Sequence, residues 1–247
     1  MPALVGPGRV GQAIRRSAAA GGHSLRLAGR AEIAPVCAEA QAVLLCVPDA
    51  AIEEAAGAVA SVAGRLRLIG HTSGAIGLEA LDPATAGGAR AFSLHPLQTV
   101  PDGSADLRGA PAGISGSDEG ALRFARRLAV ALGMRPFEVP DASRAAYHAA
   151  ASIASNFLVT LEESAVDLLA RAGIEDPREL LAPLVLRAAA NWSERGGDAL
   201  TGPISRGDEP TVARHEAALA ELDPELLELY RILADRTRNL AARKAPA

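Results

Sequence analysis

The sequence predicts an α/β fold, a parallel sheet with helices on both faces, followed by an all-helical C-terminal domain. Strand-like and helix-like segments alternate through the first half of the 247-residue chain, which is the pattern of parallel strands joined by helices. After Pro140 the segments are helical apart from short turns. Hydrophobic residues make up 49% of the chain and aromatic ones only 3%, so we expect a core of small side chains. We place the domain boundary near Asp141, between domains of residues 1–141 and 142–247.

The predicted strands are short apolar runs that end at glycine, proline or polar residues. A continuously apolar run, such as Ala42–Val47, is typical of a strand covered on both faces. The strands are Ala3–Val5, Ser24–Ala28, Ala42–Val47, Leu66–Gly70, Ala89–Leu94, Ala110–Ser115 and Arg135–Val139.

Helices are predicted where alanine-rich or amphipathic stretches lie between turn residues. Asp176 and Asp223 each precede a proline, the combination expected at a helix start. The helices of the first domain are Arg9–Ala20, Ala50–Ala63 and Ser117–Leu132, and those of the second are Ser143–Ala172, Pro177–Glu194, Thr211–Leu222 and Pro224–Lys244.

Charge and composition argue against several classes of protein. The formal net charge of -4 gives no basic surface for nucleic acid or an anionic membrane, and no segment approaches the ~20 apolar residues of a membrane span. The N-terminus lacks the basic start of a signal peptide, so we expect a cytoplasmic protein. Cys37 and Cys46 lie in apolar stretches. We interpret them as small buried hydrophobic residues rather than a redox pair or metal ligands, and predict no metal site.

The first strand leads directly into a G-x-G-x-x-G motif that opens the first helix. In a Rossmann dinucleotide-binding domain, the first glycine permits the tight turn, the second lets the pyrophosphate approach the backbone, and the third lets helix and strand pack closely. The helix N-terminus offers unpaired N–H groups and a partial positive charge to the phosphates. The alternative is a vestigial turn that binds no nucleotide, since the first strand is short. The predicted cofactor-binding residues of the turn are Gly6, Pro7, Gly8, Arg9, Val10 and Gly11.

The residue at the end of the second strand indicates which nucleotide is preferred. An NAD site usually places a carboxylate there, ~20 residues after the glycines, to bind the ribose hydroxyls. This chain has Arg30 instead, and a guanidinium suits the 2′-phosphate of NADP. The sequence therefore predicts NADPH in preference to NADH, unless Arg30 is an ordinary surface arginine.

Polar residues follow three further strands, where open α/β sheets bind their ligands. Val47, Pro48 and Asp49 end the third strand, and we assign them to the cofactor. Ser73 and His95 follow the next two strands. They are candidates for orienting a substrate beside the nicotinamide, although each can equally be a hydrogen-bonded loop residue.

Two polar clusters lie in the second half of the chain. His148, Ser152 and Asn156 stand at i, i+4 and i+8 and form one polar stripe on a predicted apolar helix. The stripe is expected to face either a substrate cleft or a hydrogen-bonded seam with another helix or subunit. Thr201 and Arg206 belong to a glycine-containing loop, where Arg206 could bind a carboxylate or pair with the neighbouring aspartate.

Six motifs together resemble the Rossmann-like proteins that carry a C-terminal domain of unknown function, number 2520. That family is similar in architecture to β-hydroxyacid dehydrogenases, pyrroline-5-carboxylate reductases, ketopantoate reductases and deazaflavin-dependent NADP oxidoreductases. The resemblance covers nearly the whole chain and implies a homodimer built through the helical domains, with the active site between domains. It implies no particular reaction. The motifs are the G-x-G-x-x-G start, Val47-Pro48-Asp49, His71-Thr72-Ser73-Gly74, Phe92-Ser93-Leu94-His95-Pro96, Tyr147-His148 with Ser155-Asn156, and Thr201 to Asp208.

One departure from the β-hydroxyacid dehydrogenases affects the mechanism. Those enzymes carry a catalytic lysine four residues before an asparagine, and here Ser152 stands in that place before Asn156. The only lysine in the chain is Lys244, so we exclude a lysine as general acid. His148 is the best replacement, because the pKa of an unperturbed histidine lies near neutrality, and His95 is the second choice.

These observations lead to two functional hypotheses. The first is an NADPH-dependent oxidoreductase that reduces a small carbonyl or imine substrate, possibly a 2-oxo acid. In it His148 gives the proton, with Asn156, Ser73 and His95 also catalytic. Ser152, Thr201 and Arg206 would bind the substrate. The second is a non-catalytic NADP(H)-binding sensor or scaffold dimer, which the missing lysine favours.

Overall fold

The computed structural model describes residues 1–243. Its sheet has seven strands in the order β2-β1-β3-β4-β5-β6-β7. The strands are β1 (Ala3–Val5), β2 (Leu27–Ala28), β3 (Ala42–Leu45), β4 (Leu68–His71), β5 (Arg90–Pro96), β6 (Pro111–Gly116) and β7 (Arg135–Glu138).

Ten α-helices surround or follow the sheet within the described residues. They are α1 (Arg9–Ala20), α2 (Ile33–Cys37), α3 (Ile52–Val62), α4 (Asp82–Thr85), α5 (Glu119–Ala131), α6 (Arg144–Ala154), α7 (Asn156–Arg171), α8 (Pro177–Arg195), α9 (Glu209–Leu222) and α10 (Pro224–Ala242). None of the helices within residues 1–243 combines the length and apolarity needed to cross a membrane. The predicted α/β class, with a sheet domain followed by helices, is confirmed.

The short strand β1 is central to the sheet. It pairs in parallel with β2 on one side and β3 on the other. All three of its residues are buried. The strand that leads into the glycine turn is therefore short but fully paired.

The sheet is not parallel throughout, which corrects the sequence prediction. β6 runs antiparallel to β5, with His95 opposite Gly113, whereas β7 is again parallel to β6. A loop, and not a helix, joins β5 to β6, and a chain without a crossover helix can reverse direction at the neighbouring strand.

Two apolar layers cover the faces of the sheet. One layer includes Ile52 and Val59 of α3, and the other includes Ile14 of α1 and Leu128 of α5. The free cysteines Cys37 and Cys46 are buried in these layers, and burial raises the pKa of Cys46 to about 12. Alanine makes up half of the buried residues of the first layer, whereas leucine is the commonest residue of the second.

Several element ends differ from the prediction. The second strand is confined to Leu27–Ala28. The predicted helix Ser143–Ala172 is two helices, because the backbone leaves the helical region at Ser155 (φ -126°, ψ -68°). Its hydroxyl donates to the carbonyl of Ala151, as the hydroxyls of Thr160 and Ser164 do to the carbonyls four residues earlier in the continuous helix α7. Lys244, the predicted end of the last helix, lies outside the described residues.

Capping explains the helix starts only in part. Asp223 accepts from the backbone N–H of Leu226, as a helix cap does. Asp176 is the N-cap of α8, which begins at Pro177 as predicted, but it lies in the left-handed region (φ 51°) and its side chain makes no capping bond. The residue before a proline is disfavoured in the right-handed helical region.

The chain divides into two compact units, Met1–Ser155 and a second that begins at Asn156. The first contains the sheet and helices α1 to α6, and the second contains α7 to α10. Within the second unit, neither α7 nor α8 has a fully buried residue, whereas α9 and α10 bury Val212, Leu219, Leu227 and Ala234.

Candidate functional site

The G-x-G-x-x-G turn has a different steric reason for each glycine. Gly6 has φ +110°, and a Cβ there would lie 2.4 Å from the carbonyl oxygen of Cys46. A Cβ at Gly11 would lie 2.1 Å from the carbonyl oxygen of Gly6. These two glycines hold the turn tightly against β1 and β3.

No atom of the protein itself requires glycine at position 8. A Cβ at this position would meet no atom within 4 Å, and the backbone (φ -70°, ψ -173°) is open to any residue. Gly8 is also the N-cap of α1 and provides no side chain to cap it, and the first turn of α1 contains no acidic residue. The turn therefore offers open space and exposed N–H groups, which fit the pyrophosphate of a dinucleotide.

The other residues assigned to the cofactor lie around this turn. Pro7 and Arg9 are exposed, and the Arg9 guanidinium donates to the carbonyl of Pro101 over 3.4 Å. Val10 is half-buried and packs on the core. The Val47 side chain would lie 3.1 Å from a Cβ at Gly6, so the end of β3 adjoins the turn. The following residues, Pro48 and Asp49, are exposed.

Arg30 forms an ion pair on the surface. Its guanidinium donates to both carboxylate oxygens of Glu54 over 2.9 Å, and the two side chains are 81% and 68% exposed. Pairs this exposed contribute ~0–1 kcal/mol, so Glu54 holds Arg30 only weakly. Glu32, the carboxylate that follows Arg30 in the sequence, accepts from the Gly29 N–H.

Two histidines and a tyrosine meet at the carboxyl end of β5. Tyr147 Oη lies 2.6 Å from His95 Nδ1, and the ring centroids of His95 and His148 are 6.1 Å apart. His95 belongs to β5, and the other two residues are neighbours on α6. The structure thus brings together two residues predicted from separate motifs, His95 and His148.

Two glycines make room for this cluster. A Cβ at Gly74 would lie 2.8 Å from His95 Cε1 and 2.9 Å from His148 Cδ2. A Cβ at Gly113, on β6, would lie 2.9 Å from Tyr147 Oη. The imidazoles therefore sit against the backbone that follows β4, and the phenol against β6.

Arg144 joins α6 to the sheet. Its guanidinium is 3% exposed and donates to the hydroxyls of Ser93 and Ser115. It also donates to the carbonyl of Ser73 over 3.3 Å and pairs with Asp141 over 3.1 Å. Because Arg144 is the first residue of α6, these bonds fix the helix one turn before Tyr147 and His148.

Ser73 serves the backbone of its own turn. Its hydroxyl oxygen accepts from the N–H groups of Ala75 and Ile76 at 3.1 and 3.0 Å. Its side chain is nearly buried. Ser152 lies on α6 with His148, whereas Asn156 begins α7. The prediction that all three polar residues lie on one helix is therefore wrong, since the helix ends at Ala154.

The remaining predicted residues lie in the second unit. Thr201 and Arg206 are exposed. Arg206 ends a short 3-10 turn, Ile204–Arg206, that precedes Gly207 in the left-handed region (φ 72°). Asp208 accepts from the Thr211 N–H and caps α9. Within residues 1–243 no ion pair joins Arg206 to this carboxylate.

Burial and charge keep two histidines of the first unit, His71 and His95, neutral. Burial, the neighbouring His148 and the charge of Arg144 lower the pKa of His95 to about 4. Burial and Arg144 lower the pKa of His71 to about 4 as well. His71 Nε2 lies 3.1 Å from the carbonyl of Gly77 and must donate to it, whereas its buried Nδ1 has no hydrogen-bond partner. Burial raises the pKa of Tyr147 to about 12, so the phenol is protonated.

Sequence reasoning gave no role to Arg144 or Tyr147. A signal for them does exist, because Arg144, Tyr147 and His148 are spaced i, i+3 and i+4 and so share one face of a helix. An arginine in an alanine-rich helix is ordinarily exposed, however. Its burial depends on Ser93 and Ser115, which only the antiparallel pairing of β5 and β6 brings side by side.

We expect the stability of the fold to decrease as the pH falls from about 6.5 towards 4. Unfolded histidine takes up a proton near pH 6.5, whereas His71 and His95 do so only near 4 in the folded chain. The unfolded state therefore binds more protons between these values. For His71, which is fully buried, the loss approaches about 3 kcal/mol. Urea unfolding measured across this pH range checks the slope.

The variant His71→Phe separates this effect from general acid sensitivity. Phenylalanine fills the space without titrating, so the pH slope should become shallower even if stability at neutral pH is lower. The exposed His23 is the matched control, and His23→Gln should keep the slope of the unchanged chain. Equal slopes in all three proteins would contradict the assignment.

Comparisons with known proteins agree with this architecture. A model of a Rossmann-like domain matches residues 13–96, and a model described as domain of unknown function DUF2520 matches residues 110–237. A search of curated proteins finds no match.

Three solved structures share the fold over nearly their whole lengths. A candidate NADP oxidoreductase from Bacteroides fragilis is 21% identical, with 96% of this chain and 97% of that chain covered and a TM-score of 0.78. A reductive aminase from Aspergillus terreus, in complex with NADPH and ethyl-5-oxohexanoate, is 19% identical, with 99% and 95% covered and a TM-score of 0.67. Pyrroline carboxylate reductase from Plasmodium falciparum, with NADP bound, is 11% identical, with 97% of each chain covered and a TM-score of 0.62.

These identities establish a shared fold. The DUF2520 model covers more than half of the sequence, on β6, β7 and the helices that follow. The chain therefore belongs to the DUF2520 family, whose C-terminal domain here follows a Rossmann-like domain.

Proposed function

We propose that the protein is an NADP(H)-dependent oxidoreductase that reduces a small carbonyl or imine substrate. The observation that carries the proposal is the position of the His95–Tyr147–His148 cluster. It lies at the carboxyl end of the same sheet whose first strand opens into the glycine turn. Open α/β sheets bind ligands at that edge. The pyrroline carboxylate reductase from Plasmodium falciparum is named with NADP and the reductive aminase with NADPH.

The glycine turn fits the cofactor. Gly8 leaves open space beside an uncapped helix start, so the pyrophosphate would lie on Gly8 and the first turn of α1. Arg30 would bind the 2′-phosphate after leaving Glu54, because a phosphate is a stronger partner than an exposed carboxylate. Asp49 and Val47 would line the cofactor site at the end of β3. NADPH would then bind more tightly than NADH.

NADPH, when bound, supplies a hydride to the substrate carbon. The chain must supply a proton to the oxygen or nitrogen, and we assign this to His148. It is half-buried on α6, and its ring is held against Gly74. His95 lies beside it and Ser73 fixes the loop between them. The substrate-binding roles of Ser152, Thr201 and Arg206 and the catalytic role of Asn156 stay predictions.

The partner that we propose is a second copy of this chain, bound through the helical unit. Large apolar side chains of α7 and α8 are more than half exposed, namely Phe157, Val159, Leu180, Leu184, Leu186 and Trp192. Such a concentration of apolar surface is typical of an interface.

Nucleotide binding tests the cofactor site directly. Gly8→Ala should unfold at the same temperature as the unchanged chain, because the Cβ meets no atom. It should bind NADPH at least about tenfold more weakly, because its methyl occupies the path of the pyrophosphate. Arg30→Ala should weaken NADPH and leave NADH unchanged. Calorimetric titration with both nucleotides measures these affinities.

The control for Arg30 is Arg65, which pairs with Glu39 in a similarly exposed ion pair. Arg65→Ala should bind both nucleotides normally. No binding of either nucleotide to the unchanged protein would overturn the cofactor proposal.

Turnover tests the role of His148. With small ketones, 2-oxo acids and cyclic imines as substrates, NADPH oxidation should fall by about 100-fold or more in His148→Ala. NADPH affinity should be retained. The exposed His23 serves as control, and His23→Ala should keep full activity. Tight NADPH binding with no turnover of any substrate would favour the sensor or scaffold instead.

Sedimentation tests the homodimer. The unchanged protein should sediment as a dimer, and Leu184→Glu should sediment as a monomer, because a buried unpaired carboxylate is costly. Val130 is exposed to a similar degree, 61% against 65% for Leu184, but lies on α5 in the first unit. Val130→Glu should therefore remain dimeric, and a monomeric unchanged chain would disprove the interface.

A further inference from the structure

Tyrosine and histidine form two separate pairs in this chain. In the first unit, Tyr147 Oη lies 2.6 Å from His95 Nδ1, with the rings at 88° and their centroids 5.5 Å apart. In the second unit, Tyr230 Oη lies 2.9 Å from His215 Nδ1, with the rings at 85°. The pairs share a geometry, but only the first adjoins the glycine that follows β4 and a second histidine.

The geometry of the first pair favours the phenol as donor and the imidazole as acceptor. A separation of 2.6 Å is short for an N–H donor and ordinary for an O–H donor. Within residues 1–243, His95 is the single hydrogen-bond partner of the Tyr147 hydroxyl. If the imidazole donated instead, the hydrogen of this half-buried phenol would have no acceptor there, which is unfavourable.

This direction determines the tautomer of His95. A neutral imidazole carries one hydrogen, and His95 is neutral because its pKa is lowered to about 4. Since Nδ1 accepts from the phenol, the hydrogen is on Nε2. That atom has no hydrogen-bond partner within the part of the chain that the structure describes, and so its N–H is available to a ligand.

We propose that Tyr147 is a positioning residue that holds His95 as the Nε2–H tautomer, and that His95 donates this hydrogen bond to the oxygen or nitrogen of the substrate double bond. The proposal rests on the function proposed above. His95 keeps its hydrogen throughout and withdraws charge from the double bond, whereas His148 gives up a proton. Neutral imidazoles can polarise a carbonyl in this way.

The tautomer restricts the substrate class. An N–H donor needs a lone pair, which a carbonyl oxygen and a neutral imine nitrogen possess. A protonated iminium ion has no lone pair on nitrogen and would place a positive charge beside the guanidinium of Arg144, whose one carboxylate partner among residues 1–243 is Asp141. Carbonyls and neutral imines are therefore the substrates that the pair accepts, and iminium ions are excluded.

Nitrogen NMR of the histidine rings tests the tautomer without any ligand. In the unchanged chain, the His95 signals should show hydrogen on Nε2 and a hydrogen-bonded Nδ1. In Tyr147→Phe the ring packing is kept, and the Nδ1 signal should move to that of an unbonded nitrogen. Hydrogen on Nδ1, or an unmoved Nδ1 signal in the variant, would overturn the positioning role.

Tyr230→Phe is the matched control. It should move the Nδ1 signal of His215 and leave that of His95 unchanged. In turnover, Tyr147→Phe should lower kcat by about tenfold or more, because one preorganised donor is disturbed, with KM changed much less. Tyr230→Phe should leave kcat unchanged, and equal kcat in both variants would overturn the catalytic role of His95.

Different results would overturn the oxidoreductase function and the role of the Tyr147–His95 pair. Absence of NADPH binding, with hydrogen still on Nε2, would overturn the oxidoreductase and with it the donation to substrate. Normal turnover with hydrogen on Nδ1 of His95 would overturn the positioning role of Tyr147 and leave the oxidoreductase proposal standing. Faster reduction of permanently charged iminium ions than of ketones would overturn the substrate restriction.

Discussion

The buried guanidinium of Arg144 is the interaction on which the site depends. It enters the carboxyl edge of the sheet between β5 and β6, where two serine hydroxyls and a backbone carbonyl accept its hydrogens. Leaving a buried charged donor without its acceptors is costly, so these bonds hold the guanidinium at this edge. The same bonds set the position of α6, and the side chains one turn further along the helix then reach His95. The bonds that pack α6 on the sheet therefore also place His148 beside His95.

The charge of Arg144 also determines the electrostatics of the site. Buried near two histidines, it adds to burial in keeping both of them neutral. The half-exposed Asp141 balances it only from the outer side. The result is a polar wall in which the imidazoles of His71 and His95 are oriented and uncharged. This arrangement suits polarisation of a neutral double bond better than capture of an anion.

Much of the fold could be predicted from the sequence because it depends on local patterns. The glycine turn, the helix that it opens and the continuously apolar third strand all follow from neighbouring residues, and α1 begins and ends where predicted. The reversal of β6 could not be predicted, because it depends on pairing between strands and not on any residue of β6 itself. The break at Ser155 could not be predicted either, because no glycine or proline lies beside it in the sequence. For the site, His95 and His148 were each found as single candidates. Their meeting needed Arg144, whose burial is a property of the assembled sheet.

The two imidazoles also restrict which residue can stand at position 74. A Cβ at Gly74 would lie within 2.9 Å of both imidazoles, so the observed positions of the two rings require glycine there. Across related sequences, glycine at this position should covary with the two histidines, and relatives that have lost one of them are free to carry a larger residue. Position 74 therefore distinguishes family members that keep both histidines from members of the same fold whose site has a different chemistry.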